Sequence, residues 1–268
     1  MTYEELLRYF DIPPWEWPAD LGDKLLAVLK DENRSEEDRS LAAELAADYT
    51  VINEDLTEAL LAILLDQDLS PEFRGKAAIS LGVVLATVEL EGGFDFPEDV
   101  PISEALYQRL VGHLERICRG SEAKELRRRG LEAAVRSPQG WEANFVRAAH
   151  AGEDQEWRLS AVFAMRFLKG FDTEIMEALN DPDPQILAEA IRAAANWEVN
   201  GAWRKIARIL SEKNLPKPVA LACIRAVGML RPNQVERLLD RFSKSRDPDI
   251  ASAVEAASAG DPLWDLDL

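Results

Sequence analysis

Along this chain apolar residues return at spacings of three and four, in short segments broken by turns bearing Asp, Ser and Pro. That rhythm predicts amphipathic helices; a strand would alternate with a period of two. The segments come in couples. A first helix patterned like Leu25, Leu26 and Leu29 leads through a short turn to a second helix with a small residue at a fixed point. The predicted couples are 21–31 with 36–48, 56–66 with 71–87, 106–118 with 123–136, and 141–151 with 155–168. They continue as 173–179 with 184–197, 203–211 with 216–230, and 235–242 with 249–259.

The small residues are Ala42, Ala77, Gly130, Ala161, Ala190, Ala222 and Ala253, at steps of 35, 53, 31, 29, 32 and 31. A period near 31 in helical sequence marks a stacked array in which each unit contacts its neighbours. Neighbouring helices approach closely at these points, and a Leu there would overpack the contact by roughly 1–3 kcal/mol. The turns 66–71, 181–184 and 246–249 place Asp or Ser at helix N-caps and Pro in first turns, where its missing N–H costs nothing.

An apolar helix, an Asp-containing turn and then apolar-Arg-x-x-Ala-Ala resembles the HEAT repeat in its short form of about 30 residues. Phe73-Arg74-Gly75-Lys76-Ala77-Ala78 carries the resemblance best; Trp157-Arg158-Leu159-Ser160-Ala161 and Leu126-Arg127-Arg128-Arg129-Gly130 follow, and Arg39 holds the same place in the first unit. In the last three units Leu187, Val219 and Ile250 replace the Arg, so apolar contacts are expected to take over there. The resemblance spans residues 21–260. It implies an all-α, right-handed α-solenoid of about seven helix pairs, one continuous domain.

Three segments stand outside the period. Residues 1–20 carry one extra helix and then Pro13, Pro14, Trp15, Trp17 and Pro18, a cap over the array's first apolar face or an exposed Trp pair that binds something. The tail 261–268, with Trp264, Leu266 and Leu268, is read likewise. The 53-residue step holds an insertion over 88–102, where Phe94 and Phe96 stand beside Glu89, Glu91, Asp95, Glu98 and Asp99. Such a loop either clasps a basic, partly apolar partner or tucks its rings into an interhelical groove.

Charge sharpens the picture. The chain's net charge is −18; residues 1–101 hold 24 Asp and Glu against 7 Lys and Arg, while residues 102–268 hold 25 against 24. A one-ended acidic field suits a basic partner and repels nucleic acid; simple solvated helix faces are the alternative. No apolar run approaches 18 residues and no leader pattern opens the chain, so no membrane span is expected and a cytoplasmic location is. Cys118 and Cys223 lie about three repeats apart and read as small buried hydrophobes.

Catalytic patterns are sparse. His113 is followed by Leu114 and His150 by Ala151, so the His-Glu pairs by which the HEAT-like deoxyhypusine hydroxylases hold di-iron are missing. Phycobilin lyases and HEAT-like DNA glycosylases share this repeat type and give the competing readings, an enzyme of the lyase kind or a DNA-lesion binder. No metal, cofactor or catalytic residue is expected. In HEAT arrays the second helix of each pair lines the concave side. Helical phase then places Lys76, Arg128, Arg129, Arg136, Phe163, Arg166, Arg192 and Asn196 toward the groove. Five arginines and a Phe could grip an acidic peptide or a phosphate through bidentate bonds. Equally, they could neutralise Glu132 and Glu189 within the array. The expected function is a non-catalytic scaffold for a protein or peptide partner, with a monomer favoured.

Overall fold

The computed structural model describes residues 1–95 and 100–260. Fifteen α-helices and no strand occur among the described residues. The chain divides into two compact units, Met1–Glu142 and the residues from Ala143 onward.

The first unit contains α1 (Tyr3–Arg8), α2 (Leu21–Lys30), α3 (Glu36–Leu45), α4 (Glu54–Leu65), α5 (Pro71–Leu90), α6 (Glu104–Arg119) and α7 (Lys124–Ala134). These follow the predicted couples closely. α2 packs on α3, α4 on α5 and α6 on α7, while the second helices α3, α5 and α7 also stack on one another. Leu25, Leu29, Leu60, Leu64, Phe73, Leu81, Leu85, Leu110 and Leu114 are among the side chains that fill the core between the layers.

In the second unit α8 (Glu142–Ala151) begins at the boundary, followed by α9 (Gln155–Ala164), α10 (Asp172–Ala178), α11 (Pro184–Asn196), α12 (Ala202–Leu210), α13 (Lys217–Leu230), α14 (Val235–Leu239) and α15 (Pro248–Ala259). Phe145 of α8 meets Trp157 of α9 edge to face at 5.4 Å. α10 packs on α11, α12 on α13 and α14 on α15, and α9, α11, α13 and α15 form a successive stack.

The repeat arginines act as one device. Arg39 Nε donates to the Leu29 carbonyl (3.1 Å), Arg74 Nε to Leu64 (2.9 Å) and Arg127 Nε to Cys118 (3.0 Å). Arg158 donates to the Gly152 carbonyl (3.3 Å). Each guanidinium satisfies a carbonyl left without an intrahelical partner at the end of the preceding helix. Serine caps are braced from the preceding repeat: the Ser70 N–H and hydroxyl both donate to Glu36, and those of Ser103 to Glu54 (2.7 and 2.6 Å).

Gly130 shows why its position must be small. A Cβ there would lie 3.2 Å from Ile117 Cγ2 and 3.3 Å from Cys118 Sγ. The six alanine anchors are likewise buried.

Several predicted helix ends move by three or four residues: α3, α9 and α14 stop short, at Leu45, Ala164 and Leu239. α5 runs on to Leu90, into the insertion, and stops where Gly92 and Gly93 adopt positive φ of 85° and 71°. The N-terminal segment splits its tryptophans. Trp17 Nε1 donates to the Tyr9 and Ile12 carbonyls (3.2 and 3.0 Å), and its ring meets Tyr9 edge to face, whereas Trp15 is 74% exposed. The tail 261–268 lies outside the described residues.

Candidate functional site

The groove positions fall in both units, and each set is described within its own unit. In the first, the basic residues are held by carboxylates of neighbouring turns. Lys76 is exposed and pairs with Glu44 of α3 at 3.4 Å. The Arg128 side chain is only 5% exposed and bonds Glu125 at 2.9 Å, with Glu132 at 4.0 Å. Arg129 bridges Glu125 and Glu132, both at 2.7 Å. The Glu125–Arg129 pair has the i,i+4 spacing with Glu on the N-terminal side, the favourable order on a helix. Arg136 is buried at the end of the same segment. These side chains make a neutralised ion-pair frame along α7.

The insertion begins with its ring turned inward. Phe94 is half-buried and meets Tyr107 edge to face at 5.3 Å. Phe96 lies outside the described residues. Beneath Phe94 is a polar cluster that the sequence pattern does not reveal. Tyr107 Oη and Ser137 Oγ are 2.5 Å apart, Ser137 Oγ donates to Glu89 Oε1 (2.6 Å), and Gln139 Nε2 donates to Tyr107 Oη (3.2 Å) and to the Ser137 carbonyl (2.9 Å). Its members come from α5, α6 and the turn after α7, so only the closed fold brings them together.

In the second unit four predicted residues do come together. The rings of Phe163 and Phe167 lie 5.4 Å apart, both half-buried, and the Arg166 guanidinium stands over each at 5.2 and 5.5 Å. Arg166 pairs with Glu189 of α11 at 3.3 Å, and Arg192 bonds the same carboxylate. Asn196 Nδ2 donates to the Arg166 carbonyl (3.3 Å), while Arg225 of α13 donates to Asn196 Oδ1 (3.1 Å). Trp197, missed by phase alone, donates its Nε1 to the Met165 carbonyl (2.7 Å), with Lys169 over its ring at 5.5 Å. Two arginines share the Glu189 carboxylate here, and a third, Arg225, reaches the same cluster through Asn196.

Among the described residues, no three His, Cys, Asp or Glu are grouped to hold a metal, and no helix is long and apolar enough to cross a membrane. Both cysteines are free and buried, and burial pushes each thiol up to about 12, so neither is a thiolate nucleophile near neutrality. His113 is held below its ordinary value by burial, with Arg116 and Arg109 adding repulsion.

Comparisons with known proteins leave the family open. No protein-family model matches the chain, and no curated protein sequence matches it. Among solved structures, the chain is similar to Escherichia coli YibA at 15% identity, covering 86% of this chain and 79% of YibA, with a TM-score of 0.48. It is also similar to an engineered protein at 17% identity, covering 90% and 96% of the two chains, with a TM-score of 0.40. The all-helical chain of paired helices is compatible with a HEAT-like repeat protein.

Proposed function

We propose that the helix pairs are HEAT-like repeats of an α-solenoid and that the protein is a non-catalytic scaffold binding a protein or peptide on its second-helix face. The observation that carries this reading is the aromatic face of α9 and α11. Phe163 and Phe167 are large rings only partly buried, held in a fixed arrangement by Arg166, Glu189 and Arg192. A half-buried aromatic pair with pre-positioned guanidiniums has the composition of an interaction hot spot. A solely structural face would bury the rings, because each buried aromatic stabilises by roughly 1.5–3 kcal/mol. The face favours a partner segment that is apolar with an acidic flank.

The test places a photo-cross-linking benzoylphenylalanine at position 163 in the native host. A discrete adduct that disappears when Phe167→Glu is added supports the proposal. Absence of any adduct, or one indifferent to Phe167→Glu, overturns it.

A further inference from the structure

In a chain of net charge −18, residues 201–246 carry eleven Lys and Arg against three Asp and Glu, a local balance of +8. Arg204, Arg208, Lys213, Lys244 and Arg246 are exposed, and among the described residues none has a carboxylate partner. Lys217 differs, being held by Asp247 (2.8 Å) and Asp249 (2.5 Å). A concentration of unneutralised cations is an electrostatic footprint, but by itself it specifies no ligand.

The cavity beside it does. A space of about 750 Å³ opens between the loop joining α12 to α13, the end of α14 and the first turn of α15. Its floor is Leu215, Ala220, Phe242 and Ile250, and its cations are Lys213 and Arg241. One lining residue departs from the repeat pattern. Ile250 holds the place taken by Arg39, Arg74, Arg127 and Arg158 in earlier units, where the long side chain crosses to a helix-end carbonyl. Ile is shorter and has no donor, and its side chain lines the space. Arg241 instead arrives from the end of α14, donates to the Glu212 carbonyl (2.5 Å) and lies over the Phe242 ring at 4.4 Å. That contact fixes one guanidinium at the rim, while Lys213 has no carboxylate partner among the described residues.

We propose that this cavity docks an acidic segment of a partner protein, seating a large apolar side chain on the floor while flanking carboxylates bond Lys213 and Arg241. The site is independent of the α9–α11 face. An inorganic anion would use the cations and leave the floor bare. A nucleic acid would want an open ring for stacking, yet Phe242 is covered by Arg241. An acidic, apolar peptide uses both halves of the site, because charge-assisted bonds orient it and the buried side chain holds it.

The probe is a short fluorescein-labelled peptide alternating Glu with Leu around one Trp, titrated by anisotropy against the full chain. Saturable binding is expected, weakened about tenfold by Lys213→Glu and by Leu215→Ser. Arg204→Glu changes net charge as much as Lys213→Glu but lies outside the lining, and should alter affinity less than about twofold. A Gln-for-Glu peptide, an Ala-for-Leu/Trp peptide, oligo-dT and inorganic phosphate should compete poorly. Urea midpoints of the variants show that each remains folded. The proposal is overturned by an absence of saturable binding, by equal loss in Arg204→Glu and Lys213→Glu, or by oligo-dT competing as well as the peptide.

Discussion

Gly82 and Gly112 occupy the interiors of α5 and α6, and the same substitution to Ala should have opposite effects at the two. Intrinsic propensity favours Ala over Gly by about 1 kcal/mol inside a helix, so propensity alone predicts stabilisation at both. The surroundings differ. A Cβ on Gly82 would fall 2.8 Å from Ala133 Cα and 3.1 Å from both Ala133 Cβ and Arg136 Cδ, whereas one on Gly112 meets nothing within 4 Å. Ala133 Cα is backbone and cannot rotate away, so relief requires α5 and α7 to part. Restoring an ordinary separation of 3.4 Å takes a shift of about 0.6 Å. A gap of roughly 0.5–1 Å already forfeits a quarter to a half of each dispersion contact along the interface. Overpacking of this kind costs about 1–3 kcal/mol. Net of propensity, Gly82→Ala should destabilise by up to about 2 kcal/mol, while Gly112→Ala stabilises by about 0.5–1 kcal/mol. Urea unfolding followed by far-UV circular dichroism reads both, with similar m values showing that the shifts report stability. If Gly82→Ala raises the midpoint as Gly112→Ala does, the close approach of α5 and α7 is wrong.

Other consequences follow from the same contacts. Arg74 is buried, donates to the Leu64 carbonyl and makes a two-pronged pair with Glu122 (3.3 and 3.2 Å), so Arg74→Met should cost roughly 2–3 kcal/mol. Lys76→Met, which breaks a wholly exposed pair with Glu44, should shift the urea midpoint by less than ~0.5 kcal/mol; equal losses would refute the ladder's importance. Burial raises both thiols from 9.0 to about 12, so native protein at pH 8 should resist a thiol reagent until denatured. Because the folded pKa lies above the unfolded one, this stabilisation is full below about pH 9 and is lost as pH rises toward 12; rapid native labelling at pH 8 would contradict the burial. Trp15→Ser should leave thermal stability nearly unchanged, whereas Trp17→Ser, which removes a ring bonded to two carbonyls, should lower it by roughly 2–3 kcal/mol by calorimetry.

The helix couples were legible because each helix buries one stripe and exposes the other, which leaves a period in the sequence. α5 shows where that signal ends. Its buried residues include Phe73, Gly75, Ala78, Gly82, Leu85 and Val88, which look in several directions at once, so the last turn to Leu90 has no polar face to announce it. The small positions carried more than the period assigned to them. Ala77 marks the repeat, yet Gly75 and Gly82, one heptad apart, are the residues whose missing Cβ atoms let α7 approach.

The candidate sites were legible in part, and the limit is one of range. Glu125 with Arg128 and Arg129, and Glu189 with Arg192, are paired at the helical spacings of three and four that any sequence displays. Reading those arginines as ligands for an outside anion therefore had a local competitor already in view. The Arg166–Glu189 pair spans 23 residues, and the Tyr107–Ser137–Glu89 cluster joins three segments, so neither exists before the chain closes. Charge behaves differently again. A balance near zero over residues 102–268 conceals a stretch of +8, because the acidic residues that offset it lie elsewhere. Over the roughly 8–10 Å that salt leaves to an exposed charge, a ligand at Lys213 meets its neighbours and not the chain's total. The binding face of a strongly acidic protein can therefore be basic, and local sums taken over packed elements are the ones that bear on recognition.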